Sequence, residues 1–311
     1  MSPLVWLITG TSTGLGRDLA IAALNRGDKV IATARARSIS QIDDLRAKGA
    51  ETIELDVTAS LENLQDVAKK VVSFYGRVDV LVNNAGYILV GAIEESTYVR
   101  LLNNIANLSD YELNFIMHPS RPEETYNQFN TNVFGALNVT RVFLPYMRER
   151  KTGTVVFMGS LGGWSAGPSV GLYVTTKWAL RGISQSLHTE IAPLGLRSLC
   201  LDFGYFRTSF LSSDHRQPYI ARIPDYQELT EKSEAALQAY NGKQPGDPKK
   251  AVQVLLDIVH GDGLAQGKPF PTSVQFGSDC YSVAKEHCET ALANLEEWKE
   301  VSFSANFPEG T

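Results

Sequence analysis

Three cysteines in 311 residues, Cys200, Cys280 and Cys288, are too few and too widely spaced for a disulfide framework or a zinc site. The plain reading makes them structural core thiols. Five histidines lie scattered, and His287-Cys288 has no partner pair at ligand spacing, so no structural metal is expected. Basic charge is also short: 29 Lys and Arg against 34 Asp and Glu give a net charge of −5. That leaves no footprint for nucleic acid or an anionic membrane. No apolar run approaches the ~18 residues of a membrane span, and the first apolar stretch is too short, and lacks the basic flank, to be a signal peptide. The expectation is a soluble, cytoplasmic protein. With 43% hydrophobic and 20% charged residues the chain can bury a sizeable core, and it has no internal repeat or low-complexity linker.

What is present is organised around Thr9-Gly10-Thr11-Ser12-Thr13-Gly14-Leu15-Gly16, between the apolar run 4–8 and a helical segment over 17–25. A buried strand, a glycine turn and a helix N-terminus converge orphan N–H groups and the positive helix end on one point, a seat for pyrophosphate. One glycine permits the turn, one lets backbone approach the phosphates, and one lets helix pack on strand. Three glycines in seven residues also occur in ordinary loops.

Further on, β-branched and apolar runs predict strands over 29–34, 51–55, 78–82, 154–158, 196–201 and 273–276. Helices are predicted over 42–48, 60–75, 129–150, 174–191 and 248–259, with a last one ending at 299. Alternating strands and helices predict one α/β domain over residues 1–311, a doubly wound parallel sheet of about seven strands.

Ligands bind such sheets beyond the carboxyl ends of the strands. After the second strand an acid that would hold an NAD ribose is missing, and Arg35 stands beside the gap. A guanidinium there suits a 2′-phosphate and favours NADP(H), with Arg37 as a second candidate. The plain alternative is a solvated surface arginine. Asp56 and Val57 follow the third strand and are candidates to contact adenine; Asn83-Asn84-Ala85-Gly86 follows the fourth and brings backbone next to a cofactor. Beyond the fifth strand come Ser160, Tyr173 and Lys177. Tyr173 and Lys177, four apart, share a helix face. A cation there lowers the phenol from ~10 toward the working range of a general acid, while Ser160 would bond the reacting carbonyl oxygen and Lys177 a cofactor ribose. A Tyr/Lys pair on a solvated helix face is the competing reading.

On these residues the chain resembles the short-chain dehydrogenase/reductase superfamily over nearly its whole length: Thr9-Gly10-x-x-x-Gly14-x-Gly16, Asn83-Asn84-Ala85-Gly86, Asn132 in Asn132-Val133-Phe134-Gly135, Ser160, and Tyr173-x-x-x-Lys177. The resemblance implies a catalytic tetrad of Asn132, Ser160, Tyr173 and Lys177, with Asn132 holding a water behind Lys177. It implies a cofactor site including Gly10, Ser12, Thr13, Gly14, Leu15, Gly16, Arg35, Asp56, Val57, Asn84, Tyr173, Lys177, Phe206 and Thr208, a small-molecule substrate and a homo-oligomer. The expected reaction is NADP(H)-dependent reduction of a ketone or aldehyde, or the reverse. An epimerase or dehydratase on the same scaffold, or a cofactor-sensing protein without turnover, are the alternatives.

Three departures stand out. Phe203 replaces the proline of the family's Pro-Gly element, and Gly159 replaces a serine. Asn84 and Asn132 lie 48 apart, some twenty more than expected. The extra stretch, about 96–122, is too apolar for a free loop; it gates the substrate site, elaborates a remote surface, or is translated non-coding sequence. The variable lid, about 205–247, carries Tyr205, Phe206, Phe210, Leu211, Tyr219, Ile220, Ile223 and Tyr226, which suggests an apolar substrate unless these residues are core.

Overall fold

The computed structural model describes residues 2–95, 122–212 and 223–307. The expected insertion, with Tyr219 and Ile220 of the lid, lies outside them. In chain order the elements are β1 (Val5–Ile8), α1 (Gly14–Asn25), β2 (Lys29–Ala34), α2 (Asp43–Ala47), β3 (Glu51–Glu54), α3 (Leu61–Tyr75) and β4 (Val80–Asn83). Then follow α4 (Pro122–Phe129), α5 (Ala136–Arg150), β5 (Gly153–Met158), α6 (Gly171–Ile191), β6 (Leu196–Phe203), α7 (Pro224–Tyr240), α8 (Pro248–His260), β7 (Ser273–Phe276), α9 (Ser278–Glu297) and α10 (Lys299–Phe303).

All seven strands run parallel in the order β3-β2-β1-β4-β5-β6-β7. The order reverses between β1 and β4, and there a crevice opens beyond the carboxyl ends. Side chains alternate across each strand, and both faces are apolar because both are covered. Trp6 and Ile8 pack with Leu19 of α1 and Leu255 of α8 on one side. Val5 and Leu7 pack with Val71 of α3, Phe143 of α5 and Leu180 of α6 on the other. Three contacts fix the amino end of the sheet: Asp79 Oδ2 accepts from Val5 N at 2.9 Å, and Asp28 accepts from Trp6 Nε1 at 2.8 Å, both buried, and from Leu4 N at 2.9 Å.

The expected strands are all present, shifted by at most two residues. Two helical expectations and one about the cysteines change. A continuous helix over 129–150 is instead α4 and α5 joined by a wider, π-helical turn at Asn130–Gly135, which carries Asn132. The lid folds its downstream half into α7, started by Pro224 at a first-turn position. Of the cysteines, Cys200 and Cys280 are buried but Cys288 is exposed. The core reading fails there because Ala284 is the last buried residue of α9; His287 still packs edge-on to Trp164 and Trp178, while its neighbour Cys288 faces outward.

Candidate active site

The glycine turn between β1 and α1 is a frame with little slack. Gly10 and Gly14 have φ of +71° and +59°, values that L side chains rarely adopt. Gly16 has ordinary backbone, but a Cβ there would collide with Asn84 Nδ2 and lie 2.7 Å from Gly10 O. Asn84 braces the turn, donating from Nδ2 to Thr9 O at 2.8 Å and Gly10 O at 2.9 Å, while its N–H donates to Thr9 Oγ1. The first turn of α1 holds no acidic residue, and Thr13 at its N-cap makes no side-chain capping bond. The positive helix end is left to an anion.

One cavity of about 1260 Å³ runs from this turn across the carboxyl ends of the strands. It exceeds the ~300–1,000 Å³ of a pocket for one drug-sized ligand, so cofactor and substrate fit together. Gly10, Ser12, Thr13, Gly14, Leu15, Arg35, Asp56, Val57, Asn84, Ser160, Tyr173, Lys177, Phe206 and Thr208 all line it. Two expected residues stand behind the wall. Gly16 is the packing point just described. Asn132, 1% exposed, accepts from Tyr87 N at 3.1 Å and donates to Tyr87 O at 3.0 Å and Thr176 Oγ1 at 3.1 Å, tying the strand-four loop to α6.

At one end Arg35 and Arg37 face the cavity with Ser38, Gln41 and Thr58. Burial first, then repulsion from Arg37, lowers the Arg35 guanidinium from its ordinary value. Asp56 is turned to its own loop, accepting from Thr58 N and Oγ1 at 2.9 and 2.7 Å. Tyr87, which the sequence reading passed over, also lines this cavity; burial and then Glu124 push its phenol up to about 12.

At the other end α6 presents Tyr173 and Lys177 on one face. Lys177 is 8% exposed, donates to Met158 O at 2.7 Å and sits 5.6 Å from the centre of the Tyr173 ring. Burial pushes it down to about 8, against the electrostatic pull of Cys200 and Asp202. The Tyr173 phenol runs counter to expectation. Burial pushes it up to about 12, and the opposing influence is a hydrogen bond with Ser160 rather than the lysine. Desolvation of a buried phenol outweighs a cation that faces its ring. Ser160 Oγ also accepts from Gly162 N at 3.1 Å, which orients it at the end of β5.

The remaining wall is apolar: Ile88, Val170, Phe210 and Leu237 pack about Tyr173, with the Phe210 ring 6.0 Å away. Among the described lining residues the charged ones are Arg35, Arg37, Asp56 and Lys177, none of them on this wall. Ser233, Ala236, Leu237 and Tyr240 of α7 were missed in the sequence, though their spacing of three, four and seven is a helical stripe. Tyr205, Phe206, Phe210 and Leu211 line the cavity as expected of the lid, whereas Ile223 and Tyr226 fasten it: Ile223 N donates to Glu95 Oε1 at 3.1 Å and Tyr226 OH to Glu94 Oε2 at 2.7 Å. Phe203, in place of the family's proline, stacks edge-on to Phe206 and Phe276 at 5.5 and 5.1 Å. The turn after it is held instead by Asp279, which accepts from Tyr205 N at 2.7 Å.

Fold and site together define a doubly wound parallel α/β protein with a glycine turn at one end of its cleft and a serine, tyrosine and lysine at the other. The short chain dehydrogenase family model matches residues 4–218, and the chain belongs to that family of oxidoreductases. It is 31% identical to Oxidoreductase BOA17 of Botryotinia fuckeliana over 97% of this chain and 98% of that one. It is 32% identical to the NADPH-dependent pterin aldehyde reductase of Arabidopsis thaliana, over 67% of this chain and 76% of that one. A short-chain dehydrogenase from Streptomyces avermitilis, 35% identical, superposes with a TM-score of 0.80 over 98% of this chain and 99% of that one. More distant structures of the same fold hold NADP or NADPH, and one from Burkholderia phymatum holds NAD. No described helix is long and apolar enough to cross a membrane.

Proposed function

We propose that the protein is an NADP(H)-dependent carbonyl reductase of uncharged, apolar ketones or aldehydes, working also in the reverse direction on secondary alcohols. One observation carries the reading: a single cavity has a pair of arginines at one end and the Ser160–Tyr173–Lys177 group against an uncharged apolar wall at the other.

The fit to a dinucleotide rests on the glycine frame and the uncapped α1 N-terminus, which together suit a pyrophosphate. Arg35 and Arg37 are positioned for a 2′-phosphate, and Thr208, which faces Gly14 across the cleft, for the nicotinamide end. When bound, the reduced nicotinamide would supply the hydride. Tyr173 supplies the proton: a phenol held at about 12 stays protonated at neutral pH and is a donor to the carbonyl oxygen as negative charge develops there. Ser160 donates a second hydrogen bond to the same oxygen. Lys177 places a positive charge beside Tyr173, which favours the phenolate left after transfer and recovers the phenol's acidity as that charge forms. Asn132 acts from behind, holding the 85–88 loop against α6 through Tyr87 and Thr176. Loss of NADPH absorbance across a panel of apolar ketones and aldehydes, compared with charged ones, tests the reading; turnover confined to charged carbonyls or absent throughout would contradict it.

A further inference from the structure

Of the buried acids among the described residues that the reaction does not use, Asp202 near the end of β6 is the one wholly inaccessible to solvent. Its carboxylate accepts from Trp164 Nε1 at 2.8 Å, Ser273 Oγ at 3.4 Å and the Cys200 thiol at 3.5 Å, and Arg181 Nε lies 3.6 Å away. The Arg181 guanidinium in turn stacks on the Trp164 ring at 3.4 Å, so the ion pair is roofed by an indole.

This carboxylate reaches the active site through a missing side chain. A Cβ on Gly159 would collide with Asp202 Oδ1 and lie 2.8 Å from Cys200 Sγ and 3.0 Å from Leu201 O. The family's serine at this position would displace the Asp202 carboxylate from its present place, because the acid occupies the space it would take. Both neighbours of Gly159 serve the reaction. Met158 O is the acceptor of Lys177 Nζ, and Ser160 is the hydrogen-bond partner of Tyr173. Gly159 N itself donates to Leu201 O at 2.7 Å, one residue before Asp202.

We propose that Asp202 is a positioning residue of the reaction: seated in the space left by Gly159, it holds the 158–160 turn in register and sets a negative field behind the Lys177 ammonium. The inference rests on the proposed role of Lys177. The groups facing Asp202 are Arg181 and Lys177 from α6, Cys280 from α9, Cys200 on its own strand, and the uncharged Ser273 and Gln275 of β7. Lys177 and Arg181 are the cations among them, and Arg181 is already engaged by the carboxylate.

Two experiments decide it. In Asp202→Asn the amide oxygen can still accept from Trp164 while the charge is gone. An NMR titration of isotope-labelled lysine, with Lys177→Met identifying the signal, should show the Lys177 pKa falling below that of the unaltered protein, and the alkaline limb of kcat should move down with it. The NMR readout needs no turnover, so it judges Asp202 even if the carbonyl panel finds no substrate. Separately, Gly159→Ser should lose about a hundredfold in kcat, as expected of a roughly 1 Å displacement of reacting groups, and adding Asp202→Ala to Gly159→Ser should recover much of that loss. An unchanged Lys177 titration in Asp202→Asn, or a double variant no better than Gly159→Ser alone, overturns the proposal; the serine pair decides it if Asp202→Asn fails to fold.

Discussion

Gly16→Ala places a methyl group where Asn84 Nδ2 now sits and 2.7 Å from the carbonyl oxygen of Gly10. The amide must swing away, and its two hydrogen bonds, to Thr9 O and Gly10 O, are broken together. At about 1 kcal/mol each, with about 1–3 kcal/mol for overpacking against backbone that cannot rotate aside, the loss is about 3–5 kcal/mol. That is a large share of the ~5–15 kcal/mol by which a domain is stable. Because Gly10 O must also retreat by roughly 0.5 Å to reach normal carbon–oxygen contact, the seat for the pyrophosphate is displaced, and NADPH affinity should fall at least about tenfold. Urea unfolding and NADPH titration by fluorescence measure the two effects. Gly182→Ala is the control. It lies in α6 with nothing within 4 Å of the added methyl, so helix propensity alone acts and should stabilise by about 0.5–1 kcal/mol. Wild-type stability and affinity in Gly16→Ala would refute the reasoning.

Arg35→Ala should erase most of any preference for NADPH over NADH, since one guanidinium–phosphate contact contributes about 1.5–3 kcal/mol, tenfold or more in affinity; equal affinities for the two cofactors in the unaltered protein would exclude the role. The pH dependence follows from two groups moved in opposite directions. Lys177, lowered to about 8, loses its charge as pH rises through that value, well before the Tyr173 phenol, raised to about 12, gives up its proton. Carbonyl reduction should therefore decline above about pH 8, and a rate that stays level to pH 10 would contradict the need for a charged lysine. Leu237→Asp, which sets a carboxylate into the uncharged wall beside Tyr173, should raise KM for apolar carbonyls at least about tenfold and leave NADPH affinity near that of the unaltered protein.

Much of this was legible because a parallel sheet covered on both faces writes its strands as unbroken apolar runs. Leu4 to Ile8 or Thr154 to Met158 need no alternation to be recognised. The cleft was equally readable, since its residues fall just past strand ends, where the topology must put them. Features decided by three-dimensional space were not. Nothing in Asn130–Gly135 marks a π-helical turn; it is set by Asn132 reaching both Tyr87 and Thr176. The spacing of Tyr173 and Lys177 gave their shared face but not the direction of the phenol's shift, which depends on how completely the apolar wall excludes water. Gly159 read as a departure from the family until Asp202, 43 positions on, proved to fill the room it leaves. The α7 stripe is obscured because only Leu237 and Tyr240 of its four lining residues are large and apolar or aromatic, so the helical spacing, not composition, marks it.

Single-turnover hydride transfer by Tyr173→Phe, measured beside its NADPH affinity, tests the proton-donor role most directly. The substitution removes the donor oxygen and keeps the ring that packs against Ile88, Val170 and Phe210. Hydride transfer should fall by at least about a hundredfold, the scale of general acid catalysis, while the cofactor still binds within a few-fold of its normal affinity. Transfer at a near-normal rate with the cofactor bound would contradict Tyr173 as the acid.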